Sequence, residues 1–260
     1  MATERHDPNV PGQPGLAAAV TGQNLDIPAV ALAVGAHPDD VEFGAGGTLA
    51  KWAAAGCRIH HLVLTDGSKG TWDPDADTAA LVNIREREQI EAHRRLGGAG
   101  ADAVVFCRRV DGELIADAAT RSEVARVIRM VRPDVVLGHD PWKRYRLHPD
   151  HRAAGQLVCD AIVAARDPHF HREHGLAPHR PSDLLLWEAD DVDHIEDITT
   201  SLDAKLWALE AHESQFESTM HATDDAAMEQ FRQRVRERGA QIGSALSMTA
   251  AEAFHRIDRL

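Results

Sequence analysis

Short apolar runs alternate with longer amphipathic stretches along most of the chain. Five runs have the length and apolar content of buried strands: "AVALAVGAH", "CRIHHLVLTDG", "ADAVVFC", "DVVLGHD" and "DLLLWEA". Between them, apolar residues recur every three or four positions, as Val124, Val127, Ile128 and Val131 do before Pro133. This repeated alternation predicts an α/β fold, with a Rossmann-like, mostly parallel sheet and helices on both faces.

The two ends of the chain have other patterns. Residues 1–24 are rich in proline, glycine and polar residues, which predicts a flexible N-terminal arm ahead of a single domain over residues 25–260. From about Ser201 the pattern predicts a helical C-terminal region. Three stretches would form its helices: "SLDAKLWALEAHESQF", "DDAAMEQFRQRVRERGAQIG" and "MTAAEAFHRID".

Polar clusters follow four of the predicted strands. They cover residues 37–40, 66–69, 108–111 and 139–151. Open parallel sheets bind ligands beyond the carboxyl ends of their strands. Because these ends share one edge of the sheet, we expect the four clusters to meet there and form a site.

Composition excludes several classes of partner. The chain has 28 Lys and Arg against 41 Asp and Glu, a net charge of −13, which disfavours nucleic acid and anionic lipid. Its three cysteines show no CxxC spacing, as expected for free thiols in a reducing compartment. We find no secretory h-region at the N-terminus and no apolar run long enough to span a membrane. These features predict a cytoplasmic protein.

The loop "AHPDDVEFGAGG", residues 36–47, could bind either a nucleotide or a metal ion. A dinucleotide site needs glycines directly after the strand, but here two aspartates would repel a phosphate and Pro38 lacks an N–H. His37 and Asp40, three positions apart in a turn, can instead reach one ion. Two ligands are too few for a tight site, so a third is expected from another strand end.

A second His-Pro-Asp segment, "LHPDHRAAG", supplies that ligand. His148 and His151 are three apart and share a helix face, with Pro149 as the first helical residue. His151 can complete a triad with His37 and Asp40 that leaves a position open for water, as in catalytic zinc sites. Fe²⁺ or Co²⁺ would also suit this ligand set. Taken alone, the segment could be only a helix start in which Asp150 offsets the macrodipole.

These two motifs resemble those of the LmbE/PIG-L-type zinc-dependent N-deacetylases. Further stretches resemble the family: "TDGSKG", the helix around Arg85 and Glu88, "VDGEL" and "AHESQF". The resemblance implies one Zn²⁺ per chain, held by His37, Asp40 and His151. It also implies hydrolysis of an acetamide on an N-acetylglucosamine-type amino sugar or its conjugate.

Roles for the remaining polar residues follow from this chemistry. Asp39, beside the metal, is predicted to be the general base that takes a proton from water. His148 is predicted to stabilise the oxyanion as an imidazolium and to protonate the leaving nitrogen, oriented by the hydrogen bond that it donates to Asp150. By resemblance, Arg85 and Asp111 would bind substrate hydroxyls.

Two further features and two further functions stay open at this point. Tyr145, the single tyrosine, resembles an oxyanion-binding tyrosine of some family members but stands at a different spacing. The histidine-rich segment from His169 to His179 is predicted to lie at the rim of the pocket.

The two other functions are a metallo-amidase that removes a larger acyl group, and a non-catalytic sugar- or nucleotide-binding module. The partner is expected to be a small molecule; a homo-oligomer is left open.

Overall fold

The computed structural model describes residues 20–260. Eight strands form one sheet within this range. They are β1 (Gly22–Gln23), β2 (Val30–Gly35), β3 (Arg58–Thr65), β4 (Val104–Arg109), β5 (Val135–His139), β6 (Asp183–Trp187), β7 (His194–Asp197) and β8 (Ala251–Asp258). The order across the sheet is β1-β7-β8-β6-β5-β2-β3-β4, and all neighbours are parallel except those of β8.

Six α-helices connect or cover these strands in the described range. They are α1 (Asp40–Ala54), α2 (Thr78–Arg95), α3 (Ala118–Val131), α4 (Pro149–Arg166), α5 (Leu202–Leu209) and α6 (Asp225–Ser244). Local capping explains several of the helix starts. The Asp77 carboxylate, for example, accepts a hydrogen bond from the Ala80 N–H at the start of α2. None of these helices combines the length and the apolar character needed to cross a membrane.

Helices cover both faces of the sheet, which confirms the predicted α/β class. On one face, α3 and α4 bury residues such as Val124 and Leu157 against β2 and β5. On the other face, α1 and α5 bury Leu49 and Ala208. Strands β2 and β5 are therefore buried along their whole length, and this explains why they are almost continuously apolar.

The C-terminal region departs from its prediction in one element. The stretch "MTAAEAFHRID" was predicted to be helical, but its residues 251–258 form β8, antiparallel to both β6 and β7. Alanine and glutamate favour a helix locally, but this segment lies between two strands that pair with its backbone on both sides, and Phe254 is fully buried. Tertiary pairing overrides local propensity here. The adjoining strand β7 was not predicted.

Two predicted boundaries also shift. The first helix was predicted from the "GTLAKWAAAG" stretch, but α1 begins at Asp40, seven positions earlier than Gly47. The predicted arm lies outside the described residues up to position 19. Its last residues are described, and Gly22–Gln23 pair with His194–Ile195, so the sheet extends into a segment expected to be free.

Candidate active site and metal centre

A cavity of about 970 Å³ opens at the carboxyl edge of β2 to β5. Each of the four polar clusters contributes at least one wall residue, as expected. Lys69 follows β3, Asp111 follows β4 and His139 ends β5. Seven of the eight predicted site residues line this cavity, namely His37, Asp39, Asp40, Arg85, Asp111, His148 and His151. Asp150 is fully buried behind them.

The loop after β2 turns sharply into α1. The His37 N–H donates to the Asp40 carboxylate over 2.7 Å, which closes the turn. Asp39 has a φ of 93°, in the left-handed region that non-glycine residues seldom adopt. The glycines that follow serve close packing: a Cβ atom at Gly44 would lie 2.5 Å from the Trp187 ring. The backbone N–H groups of His37 and Asp39 both donate to side chains, so neither is available to bind a phosphate.

The three predicted metal ligands meet at one point. His37 Nδ1 lies 3.3 Å from an Asp40 carboxylate oxygen, and His151 Nε2 lies 3.3 Å from both His37 Nδ1 and the second Asp40 oxygen. A tetrahedral ion with bonds of ~2.0–2.1 Å separates its ligand atoms by about 3.3 Å. The spacing of the two imidazole nitrogens therefore suits a small divalent transition-metal ion, and each nitrogen has a different Asp40 oxygen at the same distance.

The far side of His37 is held by two carboxylates. Its Nε2 lies 3.1 Å from Asp150 and 3.2 Å from Asp111. Burial opposes a charge on this ring, but hydrogen bonds to Asp111, Asp150 and Asp40 raise the pKa of His37 well above its usual value. Carboxylates on the outer nitrogen commonly orient metal-binding histidines, since they leave the inner lone pair free.

Asp150 therefore has a different contact from the predicted one. Its carboxylate accepts hydrogen bonds from the backbone N–H groups of Gly112 and Leu114 and faces His37. The Nδ1 atom of His148 instead accepts a hydrogen bond from the backbone N–H of Asp150, over 3.3 Å. His148 is only two positions from Asp150 in the chain, whereas His37 comes near it only in the folded protein, so the sequence favoured the wrong histidine.

His148 is the exposed member of the histidine cluster. Burial and the charge of His37 lower its pKa, so the ring is neutral at neutral pH rather than the expected imidazolium. Because Nδ1 accepts from the backbone, the neutral ring carries its proton on Nε2. The ring stacks on His151 at 4.7 Å between centroids.

His139 is a site residue to which sequence reasoning gave no role. Its Nδ1 accepts from the Trp187 indole N–H over 3.0 Å, so its proton is on Nε2, which lies 3.2 Å from Asp40. His139 thus donates to Asp40 and orients it. The only sequence signal was a histidine at the end of an apolar strand.

Arg146 contacts the outer nitrogen of His151. One of its guanidinium N–H groups donates to Nδ1 over 2.8 Å, and it also pairs with Glu188. Burial lowers the pKa of His151 to about 4, so the ring is neutral and its proton is on Nε2. A neutral ring that binds a metal through Nε2 carries its proton on Nδ1. That proton would face the Arg146 N–H, so metal binding requires Arg146 to move away from Nδ1.

Asp39 lies beside the triad in a buried setting. Burial raises the pKa of its carboxyl to about 6, although Arg85 acts in the opposite direction. The Arg85 guanidinium lies 3.4 Å from this carboxylate and donates to the carbonyls of Pro38 and Gly67. Arg85 and Asp111 line the cavity, but each also contacts other residues of the site. Arg85 contacts Asp39, and Asp111 contacts His37.

The histidine-rich segment is not at the cavity. His179 donates its backbone N–H to Ala165 at the end of α4, and its ring contacts the Pro133 carbonyl just before β5. Both contacts of His179 lie at the amino edge of the parallel strands, and no residue from His169 to His179 lines the cavity, so the predicted rim position is wrong. Tyr145 is 86% exposed and does not line the cavity.

Known proteins resemble this chain in sequence and in fold. Diacetylchitobiose deacetylase of Thermococcus kodakarensis is 37% identical over 188 residues, which cover 71% of this chain and 69% of that protein. A 1D-myo-inositol 2-acetamido-2-deoxy-alpha-D-glucopyranoside deacetylase of Streptomyces scabiei is 32% identical; the match covers 55% of this chain and about half (51%) of that protein.

A solved structure extends the likeness. N,N'-diacetylchitobiose deacetylase from Pyrococcus horikoshii superposes with a TM-score of 0.80 and 29% identity over 89% of this chain and 84% of that one. The family model of the GlcNAc-PI de-N-acetylases, PIG-L, matches residues 32–162, which contain both His-Pro-Asp motifs. The chain therefore belongs to the PIG-L family.

Proposed function

We propose that this protein is a zinc-dependent N-deacetylase of N-acetylglucosamine-type amino sugars or their conjugates. The observation that carries the proposal is the convergence of His37, Asp40 and His151 at 3.3 Å spacing beside a buried aspartate. Similar proteins named as deacetylases of acetylated amino sugars support the substrate class. Location in the cytoplasm and a homo-oligomeric state stay predictions.

The triad would hold the ion, with Asp150 and His139 orienting two of its ligands. A Zn²⁺ ion in such a site lowers the pKa of a water molecule to about 7 and polarises a carbonyl. Asp39 is the proposed general base, because its raised pKa lets it accept a proton near neutral pH. Its burial beside the triad also keeps it close to where the water must attack.

His148 is the proposed oxyanion-stabilising residue. In its neutral form the Nε2 N–H can donate to the developing oxyanion. A proton passed from Asp39 to the departing nitrogen would complete the reaction, and the exposure of His148 at the cavity mouth suits contact with substrate. Arg85 and Asp111 are proposed contacts of the sugar, at the β3–β4 side of the cavity.

The test combines metal analysis with acetate release from N-acetylglucosamine, N,N'-diacetylchitobiose and N-acetylglucosaminyl-inositol. We expect one zinc per chain and acetate released in step with free amine. Absence of hydrolysis by the zinc-loaded protein on all three substrates would contradict the proposal. Binding of a sugar without turnover would instead support the non-catalytic module.

The far end of the cavity favours a second candidate function, the removal of a larger acyl group. Beyond Trp187, on the β6–β8 side of the metal ligands, apolar side chains line the wall together with the charged residues Lys205, Arg238 and Glu252. The apolar members are Ile198, Leu202, Val235 and Ile242. The proposed sugar contacts lie on the other side, so an acyl group would point toward these apolar side chains. Rates for N-acetyl-, N-butanoyl- and N-hexanoylglucosamine distinguish the two candidates: a rise of kcat/KM with chain length favours the second.

A further inference from the structure

A chain of fully buried polar side chains lies behind Asp39. Gln89 on α2 has no exposed surface, and the same is true of Glu42 on α1 and His212 after α5. None of the three lines the cavity, so none can touch a substrate there. Buried polar groups are costly unless each is hydrogen-bonded, so this arrangement requires a structural or functional reason.

Gln89 joins this buried chain to the catalytic loop. Its side-chain oxygen accepts the backbone N–H of Asp39 over 3.0 Å. Its amide nitrogen lies 2.8 Å from a Glu42 carboxylate oxygen and 3.2 Å from His61 Nδ1. Because a carboxylate can only accept, the amide nitrogen must face Glu42, and this fixes the oxygen toward Asp39.

Glu42 is itself fixed from the far side. Its second carboxylate oxygen lies 3.3 Å from His212 Nε2. The His212 backbone is tied in turn to the short helical turn at residues 213–215, since its carbonyl accepts the Gln215 N–H. Glu42 on α1 and His61 on β3 thus contact the Gln89 amide directly, and His212 holds Glu42 in place.

The Asp39 backbone needs such support. A non-glycine residue in the left-handed region is strained and persists only where its surroundings hold it there. In the described residues, the backbone N–H of Asp39 has the Gln89 oxygen as its hydrogen-bond acceptor. Loss of that acceptor would free the peptide between Pro38 and Asp39 and would redirect the Asp39 carboxylate.

We propose that Gln89 is a positioning residue that holds Asp39 in its strained conformation and so aims the general base at the reacting water. The inference rests on the proposed function, because it assigns Gln89 a role only through Asp39. It adds to that function a residue that neither contacts the metal ligands nor reaches the substrate.

The test is a double-mutant cycle of Gln89→Met with Asp39→Asn in the zinc-loaded protein. Methionine fills a similar volume but cannot accept the N–H. We expect kcat to fall about 10–100-fold in the single variant, with KM within twofold and one zinc still bound. In the Asp39→Asn background, the same substitution should lower kcat by less than threefold, because the base it positions is already absent.

Two controls separate positioning from general damage. Gln233→Met makes the same change at an exposed glutamine of α6 and should leave kcat unchanged. Gln89→Asn keeps a polar amide but withdraws its oxygen, and it should reproduce the fall in kcat if Gln89→Met folds poorly. Thermal unfolding of each variant reports folding directly.

Three results would overturn the inference. The first is an unchanged kcat in both Gln89→Met and Gln89→Asn. The second is that Gln89→Met lowers kcat by the same factor in the Asp39→Asn background as in the unsubstituted protein. The third is that Gln89→Met loses its zinc together with its activity. Failure of the proposed function is a different result, since the unsubstituted zinc-loaded protein would then release no acetate at all.

Discussion

The Nε2 atom of His151 lies 3.3 Å from the Nδ1 atom of His37, although 114 positions separate them in the chain. The two residues follow β5 and β2, which are parallel neighbours in the middle of the sheet. Adjacent parallel strands end side by side, so the residues after them meet whatever their separation in sequence. This relationship makes two similar motifs into one candidate metal centre.

His151→Ala should remove the third ligand of that centre. We expect zinc affinity to fall by at least about 100-fold, because two remaining donors cannot hold the ion tightly. Zinc content after dialysis against a weak chelator measures the change. The exposed His169, replaced by alanine, is the matched control and should retain zinc. Equal zinc retention in both variants would exclude His151 as a ligand.

Asp39→Asn should lower kcat about 10²–10⁴-fold with zinc still bound, since asparagine cannot accept the proton from water. Acetate release and metal content, measured on the same preparation, check both parts. Asp75→Asn, in the exposed loop before α2, is the control and should be fully active. Retention of more than half of the activity in Asp39→Asn would show that another group is the base.

Arg146→Gln should strengthen metal binding by about tenfold. The arginine brings a positive charge and an N–H donor to the outer nitrogen of His151, and both oppose a cation on its inner nitrogen. Competition with a coloured zinc chelator gives the affinity. The neighbouring exposed Arg144, changed to glutamine, should leave it unaltered. Weaker binding in Arg146→Gln would instead show that Arg146 supports the site.

His93→Phe should make the protein more resistant to acid. Burial lowers the pKa of His93 to about 4, against about 6.5 in an unfolded chain. The unfolded state therefore binds the proton more readily, so the free energy of unfolding is fully maintained above pH 6.5. It decreases as pH falls from 6.5 to 4, by up to about 3 kcal/mol.

Phenylalanine removes this titration and both of the unpaired ring nitrogens. Urea unfolding at pH 7 and pH 4.5 should show a smaller loss of stability in His93→Phe than in the unsubstituted chain. The exposed His169→Phe is the control and should lose as much as the unsubstituted chain. An identical loss for His93→Phe would mean that His93 does not carry the acid sensitivity.

The amino-acid pattern alone predicted the α/β class and the edge of the sheet that forms the site. Both follow from periodicity and from the rule that parallel strands end together. The eight proposed site residues needed more, since Arg85 and Asp111 came only from the resemblance to a known family. The pattern did not predict β8, since alanine and glutamate favour a helix until two neighbouring strands pair with the segment.

The contacts between polar groups depend on the folded structure. There the Asp150 carboxylate contacts His37, His139 contacts Asp40, and Gln89 lies behind Asp39. The histidine-rich segment lies outside the cavity, with His179 at the opposite edge of the sheet. Differences of a few tenths of an ångström in the donor–acceptor distance decide whether a hydrogen bond forms. Between segments far apart in sequence, that distance is set by packing, which no local pattern encodes.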